Sequence, residues 1–151
     1  MDPVSLGLPH RPPFIFIDAV DNLEAGVQAE ARKQFGGEEA FFQGHFPGDP
    51  IVPGVLVAEA MAQTAGIAVG GPGKNFLLTA IQAMKFLRPI RPREEIHLRA
   101  ERVGEVGGLV QCAVEARIKG ELVAKGQLIL ALANHPPDSA SGNTSEDSEL
   151  G

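Results

Sequence analysis

One stretch constrains this chain more than any other: Phe41 to Val69, FFQGHFPGDPIVPGVLVAEAMAQTAGIAV. Its first half is dense in proline and glycine. Pro47, Pro50 and Pro53 fix φ, while Gly44, Gly48 and Gly54 relax it. That composition predicts a loop held in one irregular path. From Val55 onward nearly every residue is apolar, with good helix formers at Leu56, Ala58, Ala60, Met61 and Ala62. A helix that is apolar almost all round has to be buried, so the rest of the chain must wrap it.

Two polar residues interrupt that helix, Glu59 and Gln63, four apart and therefore on one face. A carboxyl on a buried helix is costly unless it is paired, hydrogen-bonded or protonated. Alone, Glu59 fits a partly solvated rim position or the partner of a structural arginine. His45, inside the stiff loop, fits a structural loop histidine equally well. Taken together, on a loop that feeds directly into the helix, the two read as an acid/base pair beside an apolar cavity.

The wrapping is legible as strands. Phe14–Val20 is a short apolar run leading to a turn at Asp21-Asn22. Val27–Phe35 alternates, with Val27, Ala29, Ala31 and Phe35 on one side, as a half-buried strand does. Gly66, Gly70, Gly71 and Gly73 close the helix, and Phe76–Phe86 follows as a strand. Ile96–Val103 and Val110–Ile118 alternate again, and Leu122–Leu132 returns after the turn at Lys119-Gly120. Three long strands in succession make an antiparallel meander. The fold class is α+β, an antiparallel sheet of about five or six strands around one long buried helix. A short helical turn is expected near Leu8–Arg11. Residues 1–134 read as one domain and 135–151 as an acidic, disordered tail.

The runs His45-Phe46-Pro47-Gly48, Pro53-Gly54-Val55-Leu56 and Glu59-Ala60-Met61-Ala62-Gln63 resemble the active-site segment of bacterial 3-hydroxyacyl-[acyl-carrier-protein] dehydratases of the FabZ type. Leu8-Pro9-His10-Arg11, with Pro13-Phe14 and Asp18, resembles that family's opening segment, and Phe86–Pro92 the strand after its helix. The resemblance covers about Leu8 to Ala131 and implies the hot-dog fold. It implies that His45 and Glu59 are the catalytic pair, contributed by different subunits of a homodimer. It implies that the Gly54 amide polarises the thioester carbonyl, and that the substrate is (3R)-3-hydroxyacyl-[acyl-carrier-protein], converted to trans-2-enoyl product and water in fatty-acid or related acyl-chain elongation. Gln63 is a supporting candidate beside Glu59. Further assembly of three dimers into a hexamer is a family trait with no independent sign here. Val55 and Glu59 stand where the related dehydratase/isomerases look like Cys and Asp, which points to dehydration without isomerisation. Pro12 and Ala19 replace the family's frequent Tyr and Arg, leaving chain length and carrier identity open.

Net charge is −6, from 19 acids and 13 bases, which argues against nucleic-acid binding. Residues 138–151 hold four of the acids and no base, so the body is nearly neutral. On that body Lys85, Arg88, Arg91 and Arg93 form a basic cluster, either a protected strand edge or a dock for an acidic acyl carrier protein. Cys112 alone forms no internal disulfide and falls on an apolar strand face. The apolar stretch 51–71 is broken by Pro53, Glu59 and Gln63 and fits a core helix better than a membrane span. His10, His97 and His135 are too scattered for metal-ligand spacing, so neither metal nor cofactor is expected. The N-terminus lacks a signal-peptide pattern, and a cytoplasmic enzyme is the default. The alternatives are another hot-dog acyl-thioester enzyme, a thioesterase or CoA-linked hydratase, and a non-catalytic acyl-binding subunit.

Overall fold

The computed structural model describes residues 1–134; the acidic segment 135–151 lies outside the described residues. Six strands and one long helix follow in the order β1 (Ala19–Glu24), β2 (Gln28–Gln34), a 3-10 turn (Ala40–Gln43), α1 (Gly54–Val69), β3 (Lys74–Phe86), β4 (Glu95–Val106), β5 (Leu109–Ile118) and β6 (Glu121–Asn134). The strands form one antiparallel sheet in the order β1-β2-β4-β5-β6-β3. This is the expected α+β wrapping.

Alternation puts one face of each strand against α1. Ala29 and Ala31 of β2, Ile96, Leu98 and Ala100 of β4, and Val110, Cys112, Val114 and Ala116 of β5 are all buried. The small residues on β2 and β4 let an alanine-rich helix approach closely, and α1 packs chiefly on β4, β2 and β5. Two tight turns build the meander. Gly107-Gly108 and Lys119-Gly120 have positive φ at both central positions, which is type I′ geometry and matches the twist of the flanking strands.

Four local expectations need correction. Phe14–Ile17 precedes the first strand instead of forming one, because Phe16 N–H and the Phe14 carbonyl both bond to the Gln63 side chain, and strand pairing begins only where Asp18 N–H meets the Arg32 carbonyl of β2 at 2.8 Å. Asp21-Asn22 is no turn but a register shift inside β1, and the chain reverses at Ala25–Val27 instead, with Gly26 at φ 81. The N-terminal turn lies at Pro3–Gly7, with Leu6 N–H bonded to the Pro3 carbonyl, not at Leu8–Arg11. Gly66 is not the terminator but lies inside the helix, three residues before Val69, and joins its end only through the carbonyl that accepts the Gly70 N–H at 2.8 Å. Glycine stands there because a Cβ would meet the Phe76 ring at 2.1 Å.

Candidate active site

The loop 45–52 is pinned at both ends. The His45 carbonyl accepts from Ile51 N–H at 3.0 Å, Phe46 and Asp49 exchange backbone bonds at 3.0 and 2.8 Å, and Val52 N–H bonds to the Ile90 carbonyl at 2.8 Å. The His45 side chain is fixed by the same strut. Its Nδ1 lies 2.9 Å from the Ile51 carbonyl oxygen, and its ring stacks on Phe46 at 4.1 Å between centroids. A carbonyl can only accept, so Nδ1 carries a proton and Nε2 is the nitrogen left free to take one up. His45 borders a cavity of about 460 Å³ whose other walls include Val52, Val57, Phe86, Leu87 and Ile90. Gly54 opens onto the same cavity. It is the first residue of α1, its N–H lacks an intrahelical partner by position, and Pro53 provides no side-chain cap. A thioester oxygen reaching this point would meet an uncapped helix start.

Glu59 faces elsewhere within the chain and is not among the walls of the His45 cavity. Its carboxyl Oε2 accepts from Gln63 Nε2 at 3.0 Å, and His10 Nε2 lies 3.6 Å from the same oxygen. Gln63 is fully buried and its amide orientation is set by three bonds. Oε1 accepts from Phe16 N–H at 2.9 Å, so Nε2 must be the group that donates to the Phe14 carbonyl and to Glu59. With a fixed donor aimed at Oε2, the acid proton of Glu59 belongs on Oε1, the oxygen left free to act. Burial pushes the Glu59 carboxyl above its ordinary range, and the Gln63 bond pulls against that. Burial, aided by the charge of Arg11, holds His10 below its ordinary value. Both shifts run toward the neutral forms, which weakens the 3.6 Å contact as a salt bridge.

The basic cluster divides. Arg88 is engaged by Glu94 at 3.1 Å and Glu121 at 3.4 Å, and Arg91 pairs with Asp49. Among the described residues Lys85 and Arg93 form no ion pair. Lys85 stands directly across the β3–β6 ladder from Lys125, both exposed. Like charges opposed in a ladder are unfavourable, and here Glu115 stands across from Lys125 on β5 while Arg117 takes that carboxylate, so the patch stays positive. Cys112 is fully buried, and burial raises its thiol to about 11, so it is a packing residue. Among the described residues no helix is long and apolar enough to cross a membrane.

The FabA-like domain model matches residues 8–129. The 3-hydroxyacyl-[acyl-carrier-protein] dehydratase FabZ of Ruminiclostridium cellulolyticum is 42% identical over 129 residues, covering 83% of this chain and 91% of that protein. The chain belongs to the FabZ-type dehydratase family. The FabZ of Thiobacillus denitrificans is 40% identical over 137 residues, covering 85% of this chain and 94% of its own. Solved structures agree on the hot-dog fold. The dehydratase heterocomplex ApeI:P from Xenorhabdus doucetiae superposes with a TM-score of 0.73 at 16% identity, covering 92% of this chain and 94% of that one. A hypothetical thioesterase with coenzyme A from Streptococcus pneumoniae reaches 0.61 at 10% identity, covering 79% and 88%. At those identities the likeness speaks for the fold alone.

Within one chain the cavity that His45 borders does not include Glu59, whose neighbours are Gln63 and His10. Sequence reasoning missed two participants in these surroundings. His10 is 49 positions from Glu59, and only its place in the family-like opening segment flagged it. Lys125 joins Lys85 through strand register, which no local pattern shows.

Proposed function

We propose that this chain dehydrates (3R)-3-hydroxyacyl groups carried on acyl carrier protein to trans-2-enoyl groups. The observation that supports the reading is His45, its Nδ1 held by the Ile51 carbonyl so that Nε2 is the free ring nitrogen in the cavity onto which the uncapped helix start opens, while the same helix carries a desolvated carboxyl at Glu59 oriented by Gln63. His45 Nε2 takes the C2 proton, and the C2–H electron pair becomes the C2=C3 bond. The C3–O bond breaks, and Glu59 gives its proton to the departing oxygen, which leaves as water. The Gly54 N–H receives the charge that builds on the thioester oxygen. Proton exchange from His45 back to Glu59 resets the site.

The two groups act together across a homodimer. Support comes from β3, a sheet edge that has no neighbour on its outer side among the described residues and carries exposed Ile81 and Phe86, with Leu87 and Val55 exposed nearby. Such an edge calls for a cover, and a second copy supplies one. His45 of one subunit then works with Glu59 of the other. Absorbance of the enoyl thioester on mixing with a 3-hydroxyacyl-carrier substrate tests the reading. Release of free thiol without enoyl product would support a thioesterase instead and sink it.

Lys85 and Lys125 offer the carrier its landing point, and Arg93 lies free on the same basic segment. Reversing Lys85 and Lys125 to glutamate is expected to raise KM for the carrier-linked substrate about tenfold, as loss of steering between opposite charges does. Turnover of a short thioester analogue without carrier should stay unchanged, and added salt should weaken the wild type toward the variant. Equal loss on both substrates would remove the docking assignment.

A further inference from the structure

His10 enters neither the acid/base pair nor the helix that carries Glu59, yet its position is built with care. Its ring is wedged between Phe14 and Phe76, with centroids at 6.0 and 5.4 Å. Among the described residues its Nδ1 is buried without a hydrogen-bond partner. A protonated Nδ1 would place an unsatisfied N–H there, and a charged ring would do so at still greater cost. The least costly form is a neutral ring with Nδ1 bare and the proton on Nε2, facing Oε2 of Glu59 at 3.6 Å. The charged groups near the ring are Glu59 from α1 and Arg11 from the opening segment, whose guanidinium is held by the Leu8 and His10 carbonyls at 2.9 and 2.7 Å. Lys74 of β3 shares a hollow with Arg11.

We propose that His10 is a positioning residue for Glu59: its Nε2–H closes on Oε2 as the carboxyl gives its proton to the substrate. The role rests on the dehydratase reading above. At 3.6 Å the contact is too long to count as a hydrogen bond to the neutral acid. Charge-assisted bonds contract to about 2.7–2.9 Å, so the carboxylate draws the imidazole in. Gln63 cannot supply this change, being held by the Phe14 and Phe16 backbone and already bonded to Oε2 in the resting site. His10 therefore favours the state that forms as the C3–O bond breaks, which lowers the barrier instead of tightening binding.

The test compares wild type with His10→Phe, which keeps the ring but loses the donor, and His10→Gln, whose amide nitrogen stands in for Nε2. His10→Phe is expected to lower kcat about tenfold at unchanged KM, while His10→Gln stays within about threefold of wild type. Titration of the Glu59 carboxyl by ¹³C NMR should show a higher midpoint in His10→Phe and a near-normal one in His10→Gln. An unmoved midpoint, or equal impairment in both variants, would overturn the role. In the unsubstituted protein, ¹⁵N NMR should find the His10 proton on Nε2, and a proton on Nδ1 would overturn it whether or not the variants fold. If wild type makes no enoyl thioester, the dehydratase reading fails by that result, while the tautomer and titration still judge His10.

Discussion

His45→Ala is expected to cut enoyl-thioester formation about 10²- to 10⁴-fold, the span that a positioned general base contributes. The loss should fall on kcat, with the carrier-linked substrate still bound. The cause is specific. The Ile51 carbonyl holds Nδ1–H, so the ring offers Nε2 in one orientation, and among the described residues no second general base lines that cavity. Structure should survive, because the backbone bond between the His45 carbonyl and Ile51 N–H does not need the side chain. Rapid-mixing absorbance with circular dichroism as the folding control checks both halves. Turnover within a few-fold of wild type would contradict the assignment.

Gly66→Val is expected to produce the largest loss of stability, about 3 kcal/mol, through overpacking that neither element can relieve. An added Cβ meets three atoms of the Phe76 ring between 2.1 and 2.5 Å. Phe76 is itself only 8% exposed and lies in β3, paired with Leu132 of β6, so the ring has nowhere to go without moving the strand. Replacing the glycine by valine would recover at most about 0.5 kcal/mol of helix propensity, too little to offset the clash. The denaturant midpoint measures the balance, and Phe76→Leu in the same chain should recover part of the loss. An unchanged midpoint would show that α1 and β3 are less tightly coupled than these distances indicate.

The architecture was legible where period and burial agree. Alternation in β2, β4 and β5 pointed to their buried faces, and the all-apolar run after Gly54 pointed to a helix that the sheet must wrap. It failed where a side chain replaced a neighbouring strand. Phe14–Ile17 has strand composition, but the Gln63 side chain takes the hydrogen bonds of the Phe14 carbonyl and Phe16 N–H. Gly66 looked like a terminator because local sequence shows glycine and not the aromatic ring packed on it. Glu59 and Gln63 could be placed on one helix face from spacing alone. The fixed amide of Gln63, the imidazole of His10 and the Lys85–Lys125 opposition depend on contacts tens of residues apart, which periodicity does not carry.

The central claim is that a site needs His45 from one subunit and Glu59 from another, and complementation tests it most directly. His45→Ala and Glu59→Gln chains are refolded together in equal amounts, with heterodimers confirmed by mass. Random pairing makes half the dimers mixed, each with one intact site of two, so activity should return to about a quarter of wild type. Confirmed heterodimers that stay as inactive as either variant alone would contradict the account.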